Sequence, residues 1–145
     1  MAQHYDLDRF LKAQSLVWGG YATALDEMKQ GRKVSHWIWY IFPQEKGLGH
    51  SENSKYYGLD GDDEARAYLA HPVLGARLRE ITATVLSHCD ENIYDIMGSR
   101  IDVKKLRSCM RLFNRVAPND VFKDVLETFF PEKRQKKYNC FLRFF

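Results

Sequence analysis

The chain has 145 residues, 45% of them hydrophobic and 28% charged, which is typical of one globular domain that folds without disulfides or metals, and we expect a single domain over residues 1–145. No apolar run approaches the roughly 20 residues that cross a bilayer, and residues 1–6 lack the features of a secretory signal, so we expect a cytoplasmic protein with no membrane partner. The net charge of +3 arises in residues 132–145, so it is a poor argument for nucleic-acid binding by the whole chain.

The first predicted element is a helix from Asp6 to Gln30. Its apolar residues recur at helical spacing and share one face: Leu7, Phe10, Leu11, Val17, Trp18, Tyr21, Leu25 and Met28. Gly19 and Gly20 predict a bend, and Gly31 is suited to follow its end. Gln14 lies on the apolar face, which predicts an internal hydrogen bond for its amide, with a ligand contact as the alternative.

The next segment, residues 35–44, combines aromatic side chains with a serine, a histidine and a glutamine. It reads Ser35-His36-Trp37-Ile38-Trp39-Tyr40-Ile41-Phe42-Pro43-Gln44. The unbroken apolar run suits a buried strand and a buried helix equally. An unpaired buried polar group costs roughly 1 to 3 kcal/mol, so these polar atoms either pair internally or face a pocket.

Residues 44–61 are rich in Gly, Ser, Asn and Tyr and predict one long irregular loop. Such loops in compact domains usually bind a ligand or are disordered. Hydroxyl, imidazole and indole groups close together orient small polar ligands. We therefore predict a site for a small polar or phosphate-bearing ligand in this loop and the segment before it. Its residues are Ser35, His36, Trp39, Gln44, Gly47, Gly49, Ser51, Ser54 and Tyr57.

The second half of the chain predicts successive helices. They cover about residues 62–71, 72–89, 92–97, 102–117 and a last helix that starts at residue 119 or 120. Gly98 and Pro118 mark two of their ends. The predicted class is mainly α: a compact multihelical single domain with one long irregular loop.

The predicted helix before Pro118 has an apolar face and an opposite cationic face. The cationic stripe spans an arc of about 80° and consists of Arg100, Lys104, Arg107, Arg111 and Arg115. Such a stripe can bind nucleic-acid phosphates or an acidic protein. The alternative, which the absence of aromatic residues on the stripe favours, is a solvated face whose arginines pair with acidic neighbours.

No metal or cofactor is predicted. The histidines and cysteines lack the spacing of zinc sites, and no glycine-rich nucleotide loop or G-x-S-x-G motif is present. Cys89, Cys109 and Cys140 lack C-x-x-C spacing, which predicts free thiols in a reducing compartment.

Five stretches together resemble a known family: Asp6–Gln14, Ser35–Gln44, Gly47–Ser51, Glu64–Gly75 and Lys105–Phe113. Over residues 6–130 the chain is similar to the bacterial domain-of-unknown-function 1810 family, whose members are sometimes labelled calpastatin. Nothing in the sequence resembles the disordered inhibitory repeats which that name describes. The resemblance implies a compact helical domain with no established activity, followed by a basic aromatic tail over residues 131–145. The family's motifs add Trp37, Lys105 and Ser108 to the predicted ligand site.

Three functions follow as hypotheses. The first is a pocket for a nucleotide or ADP-ribose-like ligand, in which Trp37 or Trp39 stacks on a base and Lys105 holds phosphate. A hydrolytic role with His36 as general acid/base stays open, and so does a structural role for this histidine. The second is a nucleic-acid or acidic-protein binding module that uses the cationic stripe and the tail. The third is a scaffold that docks through the apolar residues of segment 138–145. Whether the protein is an enzyme, and its oligomeric state, stay open.

Overall fold

A computed structural model describes residues 4–132 of the protein. Over this range the chain forms nine helices and no strand: α1 Asp8–Gln14, α2 Tyr21–Lys29, α3 Ile38–Ile41, α4 Glu52–Tyr57, α5 Gly61–Ala70, α6 Leu74–Leu86, α7 Ile93–Met97, α8 Arg100–Val116 and α9 Val121–Phe129. The predicted mainly α class is confirmed. None of the helices in this range combines the length and apolar character needed to span a membrane. Of the predicted basic aromatic tail over residues 131–145, residues 133–145 lie outside the described residues, and so does the docking segment 138–145.

Helix α8 lies at the centre of the packing, where it contacts α3, α5, α7 and α9. Its apolar face is buried as predicted through Val103, Leu106, Cys109, Met110 and Phe113; Leu112 is buried as well, and Val116, also predicted on this face, is only partly buried. Its start differs from the prediction, because Ser99 rather than Asp102 is the N-cap and accepts a hydrogen bond from the Asp102 backbone N–H at 3.1 Å. The cationic face of α8, on the side opposite to the buried apolar face, stays exposed along the helix.

The predicted helix over residues 6–30 is two helices joined by a turn. A Cβ atom on Gly20 would lie 2.2 Å from the Leu16 carbonyl oxygen, so only glycine permits this close approach. Gly19 has a φ of +77°, and its carbonyl accepts a hydrogen bond from the Tyr40 hydroxyl at 2.6 Å. Val17 and Trp18 are 83% and 87% exposed, so their predicted place on the inward face is wrong.

The predicted irregular loop contains a short helix. Ser51 caps α4 by accepting a hydrogen bond from the Ser54 backbone N–H at 3.1 Å. The apolar run before the loop is the buried helix α3, which ends before Pro43. The loop is therefore irregular only on either side of α4.

The amide of Gln14 is hydrogen-bonded inside the protein, as the sequence predicts. The Gln14 amide donates to the Tyr40 carbonyl at 2.9 Å and to the Tyr68 hydroxyl at 3.1 Å, which confirms an internal role.

The prediction of free thiols holds for only one of the two described cysteines. Cys109 is a free thiol whose pKa is raised by burial. Cys89 is disulfide-bonded, so the prediction of a free thiol is wrong there. Cys140 lies outside the described residues.

The contact between α5 and α6 depends on Gly75, and we expect Gly75→Ala to destabilise the protein by about 1 to 3 kcal/mol. A Cβ atom at Gly75 would lie 2.0 Å from the Leu69 carbonyl oxygen. Helix propensity alone favours alanine by about 1 kcal/mol, so a loss of stability isolates the steric effect. Urea denaturation measures it, with Ala83→Ser, at an exposed position of α6, as a control expected within about 0.5 kcal/mol of wild type. A midpoint for Gly75→Ala at or above wild type would contradict the prediction.

Candidate functional site

Ser35 and Trp37 are held by the carboxylate of Glu27 on α2. The carboxylate accepts hydrogen bonds from the Ser35 hydroxyl at 2.7 Å and from the Trp37 indole N–H at 3.0 Å. It also accepts the backbone N–H groups of Val34 at 2.7 Å and Ser35 at 2.9 Å. Trp37 is fully buried. The polar groups of these two residues are thus paired internally, and the Trp37 ring is out of reach of a ligand from solvent.

His36 lies between these residues in sequence but faces a different environment. Its side chain is exposed, and its backbone carbonyl accepts a hydrogen bond from the Tyr40 hydroxyl at 3.4 Å. His36 is not among the residues that line the hollow described next. The structure thus separates the candidate general acid/base from the predicted site residues that line the hollow.

A hollow forms between the end of α3, the loop after it and α4. The empty space in it, counted to its open mouth, is about 270 Å³. Its lining includes five residues of the predicted site: Trp39, Gln44, Gly49, Ser54 and Tyr57. Glu45, Asn53 and Gly58 complete the lining and were not predicted. The structure therefore brings together the centre of the predicted site and omits its N-terminal part.

Two close backbone approaches shape the walls of the hollow. Residues Glu45 and Leu59 form an isolated parallel bridge, in which the Leu59 N–H donates to the Gln44 carbonyl at 2.8 Å. A Cβ atom on Gly49 would lie 2.4 Å from Ser54 Oγ, and one on Gly58 would lie 2.8 Å from the Cα atom of Lys46. Glycine at these two positions lets the two ends of the loop approach each other.

Arg9 on α1 fixes the loop from the other side. Its guanidinium donates to the carbonyls of Tyr56 at 2.9 Å and Gly58 at 3.0 Å, and also to the Asp6 carbonyl. It pairs with the Glu64 carboxylate of α5 at 2.9 Å, with side-chain exposures of only 9% and 4%. Glu64 in turn accepts the Asp60 N–H at 2.7 Å. The buried pair of Arg9 and Glu64, through these hydrogen bonds, therefore fixes both ends of segment 56–60, which contributes to a wall of the hollow.

Trp39 and Lys105 form the most distinctive contact at the hollow. The Lys105 ammonium on α8 lies 4.6 Å from the centroid of the Trp39 ring, a cation–π distance. Lys105 has no ion pair with any residue in the range 4–132. The Trp39 indole Nε1 is buried and has no hydrogen-bond partner among residues 4–132. The unpaired indole N–H and the Lys105 ammonium, which has no ion pair in residues 4–132, therefore lie together at Trp39 in the lining of the hollow.

The carboxylate of Glu45 at the hollow is already paired. Arg115 donates to Glu45 Oε1 at 3.1 Å and to Asp62 Oδ1 at 2.8 Å. The hydrogen bond from Arg115 lowers the pKa of Asp62 below its usual range. Arg115 is therefore a surface arginine paired with acidic residues. This is the alternative interpretation that the sequence analysis gave for the stripe.

Three further residues of the predicted site lie outside the lining of the hollow. Gly47 is exposed and has a φ of +96°. Ser51 is occupied as the N-cap of α4. Ser108 is half-buried one turn after Lys105 on α8. Their predicted contact with a ligand stays a prediction.

The other four cations of the stripe are exposed: Arg100, Lys104, Arg107 and Arg111. None of them forms an ion pair or hydrogen bond with the described part of the chain. The same part of the chain contains no cluster of three or more metal-ligating side chains.

Comparisons with known proteins agree with this architecture. A family model described as "Protein of unknown function (DUF1810)" matches residues 4–142. The crystal structure of the conserved hypothetical protein Rv1873 from Mycobacterium tuberculosis is 40% identical, with 87% of this chain and 88% of that chain covered and a TM-score of 0.81. No curated protein sequence matches the chain. The family match extends past residue 130 into the segment that the sequence set apart as a tail.

We expect Arg9→Gln to destabilise the protein by about 3 to 5 kcal/mol, because it leaves the buried Glu64 carboxylate without its partner. The Leu59 amide, which closes the loop on Gln44, should also exchange its hydrogen faster. Chemical denaturation and hydrogen exchange measure the two effects. Arg66→Gln is the matched control, because it breaks the exposed pair with Asp63 and should cost less than about 1 kcal/mol. Equal losses for the two variants would contradict a special role for Arg9.

The Glu27 cluster predicts a pH dependence of stability. Partial burial raises the pKa of Glu27, but the hydrogen bonds from Ser35, Val34 and Trp37 together lower it below its ordinary value of 4.5. Glu27 therefore stabilises the fold above that pH, and the contribution is lost as the pH falls through the lowered pKa. We expect Glu27→Gln to lose less stability than wild type on acidification below pH 4.5, measured by urea denaturation across that range. Glu52→Gln, at an exposed position, should follow wild type, and parallel curves for all three proteins would refute the prediction.

Proposed function

Because the chain belongs to the DUF1810 family, whose description names no activity, we propose its function from the chemistry of the hollow: it binds a small anionic molecule through Trp39 and Lys105. The single observation that supports this most is the buried Trp39 Nε1 without a partner. A buried donor left unpaired costs about 1 to 3 kcal/mol. A ligand oxygen that accepts from this nitrogen removes the cost.

The charge at the hollow favours an anionic ligand. The Lys105 ammonium beside the Trp39 ring has no carboxylate partner in residues 4–132, whereas the one carboxylate of the lining, Glu45, is paired with Arg115. The amide groups of Gln44 and Asn53 add donors to the same lining. Phosphate and carboxylate groups carry the charge and the several acceptor atoms that match this set.

The size and the hydroxyl groups of the hollow narrow the ligand further. The space inside the hollow that a water-sized sphere can reach is only about 10 Å³, so the hollow itself accommodates an oxygen of one small ligand group, and the rest of the ligand lies at the open mouth. We therefore favour a compact phosphate-bearing metabolite, or the phosphate end of a nucleotide or ADP-ribose-like molecule. Burial raises the pKa of Tyr57, so its phenol stays neutral and can donate to such a group.

We propose that the hollow binds its ligand without hydrolysing it. Hydrolysis needs a positioned general acid or base within hydrogen-bond reach of the reacting group. His36 is exposed away from the lining, and Glu45 is engaged by Arg115. Neither residue is available at the hollow for that role in this arrangement.

The test compares ligand-induced thermal shifts in wild type and in Trp39→Phe, which removes the indole N–H but keeps an aromatic ring. The panel contains inorganic phosphate, a nucleoside monophosphate and ADP-ribose. A ligand at 100 times its Kd stabilises the folded state by about 2.7 kcal/mol, and we expect Trp39→Phe and Lys105→Gln to lose at least half of that stabilisation.

Trp18→Phe is the matched control, because Trp18 is 87% exposed in the turn between α1 and α2 and should leave the shift unchanged. A shift that survives intact in Trp39→Phe places the ligand elsewhere and refutes the proposal. The absence of a shift with every member of the panel refutes an anionic ligand of this class.

A further inference from the structure

The cationic stripe contains a run of charge that no acidic residue in the range 4–132 compensates. Arg100, Lys104, Arg107 and Arg111 extend over about 17 Å of the exposed face of α8. Like charges three or four residues apart on a helix repel each other and destabilise it. No acidic side chain of the described residues pairs with these four cations. A polyanion bound along this face would remove the repulsion.

The stripe continues into a groove between α8 and α9. The groove has about 710 Å³ of empty space, counted to its open mouth. It is lined by Arg107, Arg111, Asn114, Lys123, Leu126, Glu127, Phe130, Pro131 and Glu132. Helix α8 carries no aromatic residue on its cationic face, but Phe130, after α9, lines the same groove as the two arginines.

Asn114 adds a second, independent observation in the groove. Its side-chain oxygen Oδ1 is buried and has no hydrogen-bond partner within the described part of the chain. This acceptor requires a donor, whereas the arginines require an acceptor. A ligand of the groove must therefore present hydrogen-bond donors close to negative charge.

We infer that α8 and this groove bind single-stranded nucleic acid, as a site separate from the hollow. The arginines contact phosphates. A base stacks on Phe130, and an exocyclic amine of an unpaired base donates to Asn114. Unpaired bases are required, because a duplex buries the base faces and pairs the amines.

The acidic residues of the groove favour nucleic acid over an acidic peptide. Glu127 lies 3.9 Å from Lys123 and, with Glu132, lines the side opposite to α8. Lys123 is already paired with Glu127, and the Glu132 carboxylate repels the side chains of an acidic peptide that enters the groove. A nucleotide base is neutral and carries amines, so it tolerates Glu132 while the phosphates of the strand stay on the arginines.

The site is tested with the full chain by fluorescence anisotropy of short labelled oligoadenosine and oligodeoxyadenosine, whose bases carry an exocyclic amine, over a salt series. Each phosphate contact on a single strand contributes about 0.7 to the slope of log K against log salt, so Arg107→Ala/Arg111→Ala should lower the slope by about 1.4. The matched control is Lys29→Ala/Arg32→Ala, which removes two exposed cations at the end of α2 and should leave the slope unchanged. The RNA and DNA arms establish which sugar the site prefers.

Asn114→Ala separates base contact from charge. We expect roughly tenfold weaker binding with the salt slope unchanged. Circular dichroism confirms that each variant is folded, and both arginines are exposed. Absence of binding at low salt, binding that survives Arg107→Ala/Arg111→Ala, or equal binding of a duplex or of polyglutamate would each overturn the inference. The thermal shift caused by a ligand of the hollow should be the same in all these variants, so the two sites fail or succeed independently.

Discussion

The buried ion pair between Arg9 and Glu64 is the interaction on which the architecture of the hollow depends. It joins α1 to α5, and the remaining guanidinium donors bind carbonyls on both sides of Tyr57. A buried ion pair contributes little net stability relative to apolar residues, but the loss of one partner is costly. Its main effect here is therefore to fix geometry, because it determines where the chain between α4 and α5 can lie.

The aromatic segment before the loop shows how one stretch of sequence serves two purposes. Trp37 and Trp39 are two residues apart, but α3 begins between them and their side chains diverge. Trp37 donates to Glu27 within the protein, whereas Trp39 borders the hollow with its nitrogen unpaired. Trp37 anchors the segment to α2. Trp39 is therefore held at the edge of the hollow and does not pack into the core.

The sequence predicts the regular helices well, because α8 and α9 have one apolar face each and clear caps. Gly19 and Gly20 predict a bend, but the sequence does not show that the helix ends there, because helical periodicity continues through the turn and the steric reason is a contact of Gly20 with the Leu16 carbonyl. The same limit applies to the site. Trp39, Gln44, Ser54 and Tyr57 were predicted from their chemistry, but Glu45 and Gly58 meet only through the pairing of residues 45 and 59. Ser35 has suitable chemistry as well, and only its partner Glu27 on another helix shows that its hydroxyl is already used. Asn53 carried a recognisable signal, as an amide within the predicted loop.

The exposed turn between α1 and α2 has a spectroscopic consequence. The chain has three tryptophans, and they occupy three different environments: Trp18 projects into solvent, Trp37 is sealed in the interior and Trp39 stands next to an ammonium group. Their intrinsic emission should therefore separate into a red, easily quenched component, a blue, protected component and an intermediate one. The protein thus carries its own optical reporters for solvent, interior and hollow, without any attached label.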